Sequence, residues 1–347
     1  MSPKVSIIIP HWNGIEVITE CLESIQRSTY KNYEVIVVDN NSDDDSIKHI
    51  KANFSEVIVF ENHRNEGYAG GCNRGSEIAK GEYLLFLNND TIQKQDWLEP
   101  LVAVLDKDQK IVAVQPKILN YYNKELFDYA GGAGGAMDFL GFPFARGRIF
   151  NEQEIDTGQY DSQEGVFWSS GTAFLVRKSA FEEVNKFDEL FFAHMEEIDL
   201  CWRFHLAGYR VVNELSSVVY HKNAVSLPMF TEKKYYLNHR NSLIMMLTNY
   251  TIPLSIYVLP IRWALDIVAA VYAILLGDWK HIKGIARAHA WIVFHPVKIY
   301  KKRKLVKPLR RVKDRNILKK MYRGSIVYSY YILRKSRYSD LSVNPRS

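Results

Sequence analysis

The sequence predicts an α/β fold, and three observations carry that reading. Short apolar runs alternate with amphipathic stretches of helical period over the first 120 residues. Polar clusters rich in Asn, Asp and Gly recur where the apolar runs end. Charge is divided unevenly: of a net +6 over 347 residues, positions 278–347 hold 20 Lys/Arg against 3 Asp/Glu, or +17, leaving −11 for the rest. Such asymmetry points to an acidic body and a basic region with different partners.

In order, Val5 to Ile9 reads as a buried strand and Ile15 to Ser28 as a helix with Val17, Ile18, Cys21, Leu22 and Ile25 on one face. Tyr33 to Val38 is a second strand, Ser46 to Ala52 a helix, Val57 to Phe60 a strand, and Ala69 to Ala79 a helix. Tyr83 to Leu87 and Trp97 to Leu105 continue the alternation, which implies parallel pairing through right-handed crossovers. Residues 131–147, with six Gly, read as irregular or short antiparallel structure beside the site. Phe174 to Arg177 is a strand, Met195 to Leu206 a helix stopped by Gly208, and Val211-Val212 and Val218 to Tyr220 close the sheet.

Four polar clusters fall at the C-terminal ends of these strands, the edge where open α/β sheets bind ligands. In Pro10-His-Trp-Asn-Gly14, backbone, Trp12 and Asn13 could face a base. Asp39 could accept hydrogen bonds from a base or ribose. The segment 65–75 includes Asn65, Gly67, Gly70 and Asn73, and its glycines permit close backbone approach to phosphate at a helix N-terminus. Asn88-Asn89-Asp90 places a carboxylate and two amides after a rigid strand, suited to a divalent ion on a diphosphate. Downstream, Glu196, Asp199 and Arg203 share one helix face, with Glu197 turned about a hundred degrees away. His221 ends the last strand as a metal-ligand candidate. Trp168, beside Gly171, reads equally as an acceptor-stacking ring and as a core residue.

Together these elements, over roughly residues 4–245, resemble the family 2 inverting glycosyltransferases, whose fold is GT-A, a Rossmann-like nucleotide-sugar-binding mixed sheet. The Asn65-Glu-Gly-Tyr-Ala-Gly-Gly71 form looks most like their rhamnosyltransferase-like branch. The resemblance implies that Pro10, Trp12, Asn13, Asp39, Asn65, Gly67, Gly70, Asn73 and Asn89 hold the donor nucleotide. It implies Asn88, Asp90 and His221 as ligands of Mg2+ or Mn2+, and Glu197, or Glu196, as general base. Trp168, Gly171, Asp199 and Arg203 are the acceptor-side candidates. Two residues depart from the family pattern: Asn88 replaces a carboxylate, and Glu197 replaces an Asp. The expected reaction moves a sugar, rhamnose from dTDP-rhamnose first and one from a UDP-sugar second, to a saccharide or polyprenyl-linked acceptor in surface polysaccharide synthesis.

We expect a catalytic domain over 1–230 and a helical, basic, membrane-associating region over 231–347. Pro253 to Gly277 is long enough to span a bilayer, but Arg262 and Asp266, spaced to pair, favour a helix lying in the interface. Residues 254–335 would then meet an anionic membrane surface, the alternatives being a true span or a soluble appendage. Unpaired Cys21, Cys72 and Cys201 and a strand-like N-terminus fit a cytoplasmic protein at the inner face of the cell membrane. A nucleic-acid partner for the basic region is not expected, since apolar segments accompany it. The competing readings are a catalytically impaired scaffold, because of Asn88 and Glu197, and a non-enzymatic protein that binds a membrane or nucleic acid through the basic tail.

Overall fold

A computed structural model describes residues 2–223 and 231–341. The apolar run Val5–His11 (β1) lies at the centre because both of its faces are covered, and every residue but Pro10 is buried. It pairs in parallel with Tyr33–Asp39 (β2) on one side and Tyr83–Leu87 (β4) on the other. Ile58–Glu61 (β3) extends that side in parallel. The crossovers are Ile15–Gln26 (α1), Ser46–Asn53 (α2) and Gly67–Ile78 (α3).

After β4 come Thr91–Gln93 (β5), helix Leu98–Lys107 (α4) and Ile111–Asn120 (β6). Four short strands follow: Gly135–Met137 (β7), Pro143–Ala145 (β8), Arg148–Ile149 (β9) and Glu152–Gln153 (β10). Ala173–Arg177 (β11), helices Lys178–Glu183 (α5) and Glu196–Leu206 (α6), and Arg210–His221 (β12) complete the body. The main sheet runs β3-β2-β1-β4-β11-β6-β12-β5. It is mixed: β11 lies antiparallel to both β4 and β6, whereas β12 is parallel to β6. One apolar cluster packs on each face of the sheet.

Several expectations change. The strand β6 carries Gln115, Pro116 and Lys117 and so hides its β pattern, yet it is buried over nine of ten residues. The two short closing strands are one strand, β12, irregular between Glu214 and Val218. Residues 131–147 contribute to a separate antiparallel sheet, β10-β9-β8-β7. The glycine-rich segment is mostly helix: Gly70, Gly71 and Gly75 lie inside α3. A Cβ at Gly75 would come within 2.4 Å of Ile8, so that glycine seats α3 against β1.

The C-terminal region is helical: Glu232–Asn249 (α7), Ile252–Leu275 (α8), Trp279–Phe294 (α9), Pro296–Val306 (α10), Asp314–Lys319 (α11) and Ile326–Tyr331 (α12). The expected domain boundary at 230 falls outside the described residues. Among the described residues, α8 alone is long and apolar enough to cross a membrane. Its polarity is inverted: Ser255, Arg262 and Asp266 are buried, while Ile256, Tyr257, Ile267, Val268, Val271 and Tyr272 are more than half exposed. Arg262 and Asp266 do not pair directly. Arg262 donates to the Leu140 carbonyl and Ser242 Oγ, and Asp266 accepts from His239 and His289. The run Lys301-Lys302-Arg303-Lys304 is also divided, because buried Lys302 reaches inward to Asp188 and Asp199 at 3.1 and 3.2 Å.

Candidate active site

The ends of β1, β2 and β4 meet where the strand order reverses, with His11 in register with Asp39. Asp39 accepts from the Ser42 amide and hydroxyl at 3.0 and 2.6 Å. It lines a cleft of about 370 Å3 shared with Asp44, Lys48, Lys51 and Glu61. Trp12, 45% exposed, leaves its ring open to stack on a planar group. Asn13 bonds to Asp43 and Ser42 and so joins the β1–α1 and β2–α2 turns. Pro10 packs against the Gly71 position.

His11 was not among the expected site residues. Its Nδ1 lies 2.9 Å from the Asn89 amide and its Nε2 2.9 Å from Ser46 Oγ, and burial lowers its pKa. A neutral ring accepting from Asn89 and donating to Ser46 accounts for both contacts. Asn89 is thereby anchored to β1.

At the end of β4, His221 Nε2 lies 3.1 Å from Asp90 Oδ1 and 3.5 Å from the Asn88 amide nitrogen. Asp128 accepts from His221 Nδ1 at 2.9 Å. Burial alone would lower the pKa of His221, but the Asp90 and Asp128 carboxylates raise it to about 10. Asp128 lies in no recognisable motif and gave no sequence signal.

Among the described residues, no three His, Cys, Asp or Glu side chains form a metal cage. The donor set nevertheless fits a hard divalent ion. Adjacent ligands on an octahedral ion with bonds of about 2.1 Å sit about 3 Å apart, which matches the Asp90–His221 separation of 3.1 Å. A carboxylate behind a ligating imidazole is the usual outer-shell support. Mg2+ retains several waters and substrate oxygens, so two or three protein ligands suffice.

The second pole is the start of α6. Residues Phe192, His194 and Met195 all adopt positive φ (64°, 68° and 74°), turning the chain sharply before Glu196. Asn241 on α7 holds this turn by donating to the carbonyls of Phe191, Ala193 and His194 at 3.0, 3.0 and 2.7 Å. Arg240 adds a bond to the Leu190 carbonyl. The turn also meets the start of α3: Gly67 has φ +73°, and a Cβ there would lie 2.3 Å from the Phe192 carbonyl oxygen. Asn65 accepts from the Gly67 amide at 2.9 Å.

The glutamates differ in setting. Burial, then the Glu197 charge, pushes the pKa of Glu196 well up. Burial pushes Glu197 up to about 7, against backbone N–H groups including that of Gly171. A Cβ at Gly171 would lie 3.7 Å from Glu197 Cδ and 3.4 Å from Tyr68 Oη. Tyr68, overlooked inside the glycine-rich segment, donates to the Gly171 carbonyl at 2.6 Å. The next residue, Thr172, accepts from the Asn88 amide at 2.9 Å. Both poles therefore meet on the Gly171–Thr172 backbone.

Four expectations are corrected here. Asn73 is buried and clasps the Phe187 backbone rather than facing a diphosphate. Gly70 lies within α3, where a Cβ would meet Glu66 at 2.6 Å, so its role is packing. Trp168 is a core residue whose Nε1 donates to the Ala136 carbonyl at 2.7 Å. Asp199 and Arg203 form a buried ion pair at 2.9 Å, and Arg203 also reaches the Val184 and Lys186 carbonyls. Both side chains are almost wholly buried, which keeps them out of reach of an acceptor.

The sequence matches the family Glycosyl transferase family 2 over residues 6–184. Glycosyltransferase GlyG of Streptococcus pneumoniae serotype 4 is 27% identical over 276 residues, 77% of this chain and 78% of that one. The O-antigen biosynthesis protein RfbC of Myxococcus xanthus is 28% identical over 246 residues, 69% of this chain but only 19% of that one. The crystal structure of GalNAc-T7 with UDP, GalNAc and Mn2+ superposes with a TM-score of 0.57 at 19% identity, over 71% of this chain and 48% of that one. S. aureus TarS superposes with a TM-score of 0.50 at 18% identity, over 70% of this chain and 40% of that one. The chain thus spans less than half the length of either solved structure. The mixed sheet and its helices have the GT-A fold, and the chain belongs to glycosyl transferase family 2, a family of glycosyltransferase enzymes.

Proposed function

We propose that this glycosyltransferase moves a sugar from a nucleoside diphosphate donor to a saccharide or polyprenyl-linked saccharide, inverting the anomeric centre, in surface polysaccharide synthesis. The observation that carries the reading is the Glu197 carboxyl, whose pKa is near 7, resting one residue from the backbone carbonyl that fixes Asn88. A carboxyl with that pKa suits general base work at neutral pH.

Asp39 and Trp12 would take the nucleoside. Asp90 and His221, with Asn88 beside them, would hold a divalent ion, with Asp128 orienting the imidazole. When bound, such an ion supplies Lewis-acid stabilisation of the departing diphosphate. Glu197 accepts the proton of the acceptor hydroxyl as its oxygen bonds to the anomeric carbon and the sugar–phosphate bond breaks. Glu196, kept neutral by burial and by Glu197, adds no second charge to the pocket. Gly171 leaves room beside the base for an acceptor.

The polysaccharide setting is supported by the printed roles of relatives: RfbC in O-antigen biosynthesis, and a Bacillus spizizenii poly(ribitol-phosphate) beta-glucosyltransferase, 40% identical over 93 residues, 25% of this chain and 15% of that one. The form of residues 65–71 favours dTDP-rhamnose, with UDP-sugars second. The inverted α8, its polar residues inward and apolar ones outward, supports docking of residues 254–335 on an anionic membrane face from the cytoplasm. Exposed Phe294, Val297, Tyr300 and Leu305 lie on the same stretch as exposed Lys298, Lys301, Lys304 and Lys307.

A panel of dTDP- and UDP-sugars with purified protein and Mn2+ or Mg2+, read by released nucleoside diphosphate, tests the reading. Turnover on at least one donor is expected, and no release from any donor would sink it.

A further inference from the structure

Two cations near this site form no ion pair among the described residues, although the Asp128 carboxylate acts on Arg148 from further away. The Arg148 guanidinium lies 3.3 Å from the centre of the Tyr129 ring, and the Lys234 ammonium lies 6.0 Å from the centre of that same ring. Arg148 donates Nε to the Phe150 carbonyl at 2.6 Å and Nη1 to the Tyr129 carbonyl at 2.7 Å, which leaves Nη2. Among the described residues, neither cation is within 4 Å of a carboxylate. No Asp or Glu of the chain lies outside those residues, so none is hidden there. The acid nearest in sequence to Tyr129 is Asp128, which is already engaged by His221 and Asn223.

The arrangement is costly unless something neutralises it. Burial, then Arg148, lowers the pKa of Lys234, and burial lowers that of Arg148. An uncompensated buried charge costs several kcal/mol, and groups perturbed by desolvation and a neighbouring charge cluster at functional sites. A third group is close to Lys234: His194, whose Nε2 is buried and has no partner among the described residues. Burial, then Lys234, holds its pKa down to about 4, so the ring is neutral at physiological pH.

Chain connections link these groups to both poles of the site. Tyr129 adjoins Asp128, which backs His221, and His194 lies two residues before Glu196. We propose that Arg148, Lys234 and His194 Nε2 form a binding site for a phosphoryl oxyanion, its charge met by the two cations and one oxygen met by the imidazole. Charge-assisted bonds of this kind are the strong ones, and a guanidinium and an ammonium are the usual phosphate partners. The oxyanion comes either from the diphosphate of the nucleotide or from the phosphate of a lipid-linked acceptor. Its role in turnover rests on the glycosyl-transfer reading, but binding itself does not.

The test is equilibrium binding by the full-length protein without added metal, using inorganic pyrophosphate, UDP or dTDP, and a polyprenyl phosphate in detergent micelles. We expect Lys234→Met to weaken at least one of the three by about tenfold, the loss of one charge-assisted contact, and Lys234→Arg to restore most of it. Arg148→Lys, which keeps the charge but not the fork, should weaken it less. Unchanged thermal melting would show that Lys234→Met is folded. Weakening confined to pyrophosphate and nucleotides assigns the site to the leaving diphosphate, and weakening confined to the polyprenyl phosphate assigns it to the acceptor. Wild-type affinity of Lys234→Met and Arg148→Lys for every probe would overturn the proposal, as would failure of the wild type to bind any of them. Failure of the donor panel with pyrophosphate binding intact and sensitive to Lys234→Met would remove the transfer reading and leave the oxyanion site standing.

Discussion

The Glu197 carboxyl packs against Gly171, and a Cβ on that glycine would lie 3.7 Å from Glu197 Cδ. Gly171 is followed by Thr172, whose carbonyl accepts the Asn88 amide at 2.9 Å. One short piece of backbone ahead of β11 thus ties the base candidate on α6 to the metal-end candidate after β4. Residues 107 positions apart in the chain, Asp90 and Glu197, are brought to one locale by the antiparallel insertion of β11 beside β4.

Glu197→Gln should lower turnover at least a hundredfold and leave donor affinity nearly unchanged, since a positioned base contributes about 10²–10⁴. Wild-type turnover should fall as pH drops through about 7, where Glu197 gains its proton. The stability effect has the opposite direction. A carboxyl whose pKa is raised by folding binds more protons folded than unfolded, so it costs stability once pH exceeds its unfolded value of 4.5. The variant should therefore be more stable to unfolding than wild type at pH 8, by about 1–3 kcal/mol, with the gap closing below pH 4.5. Matching turnover in the two proteins would remove Glu197 as base.

Asp128→Asn should weaken Mn2+ binding by about 10–100-fold, the usual effect of losing a carboxylate behind a ligating imidazole. Because Asp90 and Asp128 hold His221 protonated up to about pH 10, a metal binding there displaces a proton. Calorimetry in buffers of different ionisation enthalpy should register that proton, and apparent affinity should rise with pH. Affinity independent of both Asp128 and pH would place the ion elsewhere.

Asn241→Ala should loosen the turn that aims Glu197. It leaves the Ala193 and His194 carbonyls without their donor, while the Phe191 carbonyl keeps the Ala193 amide and Arg240, at a cost of about 2–4 kcal/mol. Amide exchange should accelerate in 190–197 beyond any global loss of stability, and turnover should fall more than donor affinity. Uniform exchange across the chain would show a general rather than a local effect.

Ile267→Asp with Val271→Asp puts two charges on the exposed face of α8 without touching its buried seam. Wild type should float with anionic liposomes at low salt and the double variant should stay in the soluble fraction, with soluble-donor turnover retained. Equal flotation would rule out α8 as the contact.

Much of this protein could be read from the order of its residues. Buried strands such as Val5–His11 and Tyr83–Leu87 are continuous apolar runs with turn residues after them, a pattern that depends on near neighbours alone. The family and the mixed α/β sheet followed from such local marks. The strand Ile111–Asn120 did not, because Gln115 and Lys117 are satisfied by partners distant in sequence, the Gly131 carbonyl and Asp156.

Tertiary structure decided which polar residues remain available for chemistry. Asp199 and Arg203 share a helix with Glu197, and no local feature separates the two kinds. Burial against Lys302 and Asn249 assigns the first pair to the interior, while Glu197, packed beside Gly171, keeps a carboxylate oxygen with no hydrogen-bond partner among the described residues. Likewise only the folded chain sets Asp128 behind His221 and turns Arg262 and Asp266 inward on α8. Residue type and spacing specify secondary structure through local sterics and periodicity. A side chain's charge state and availability depend on desolvation and on partners that only the folded chain brings within reach.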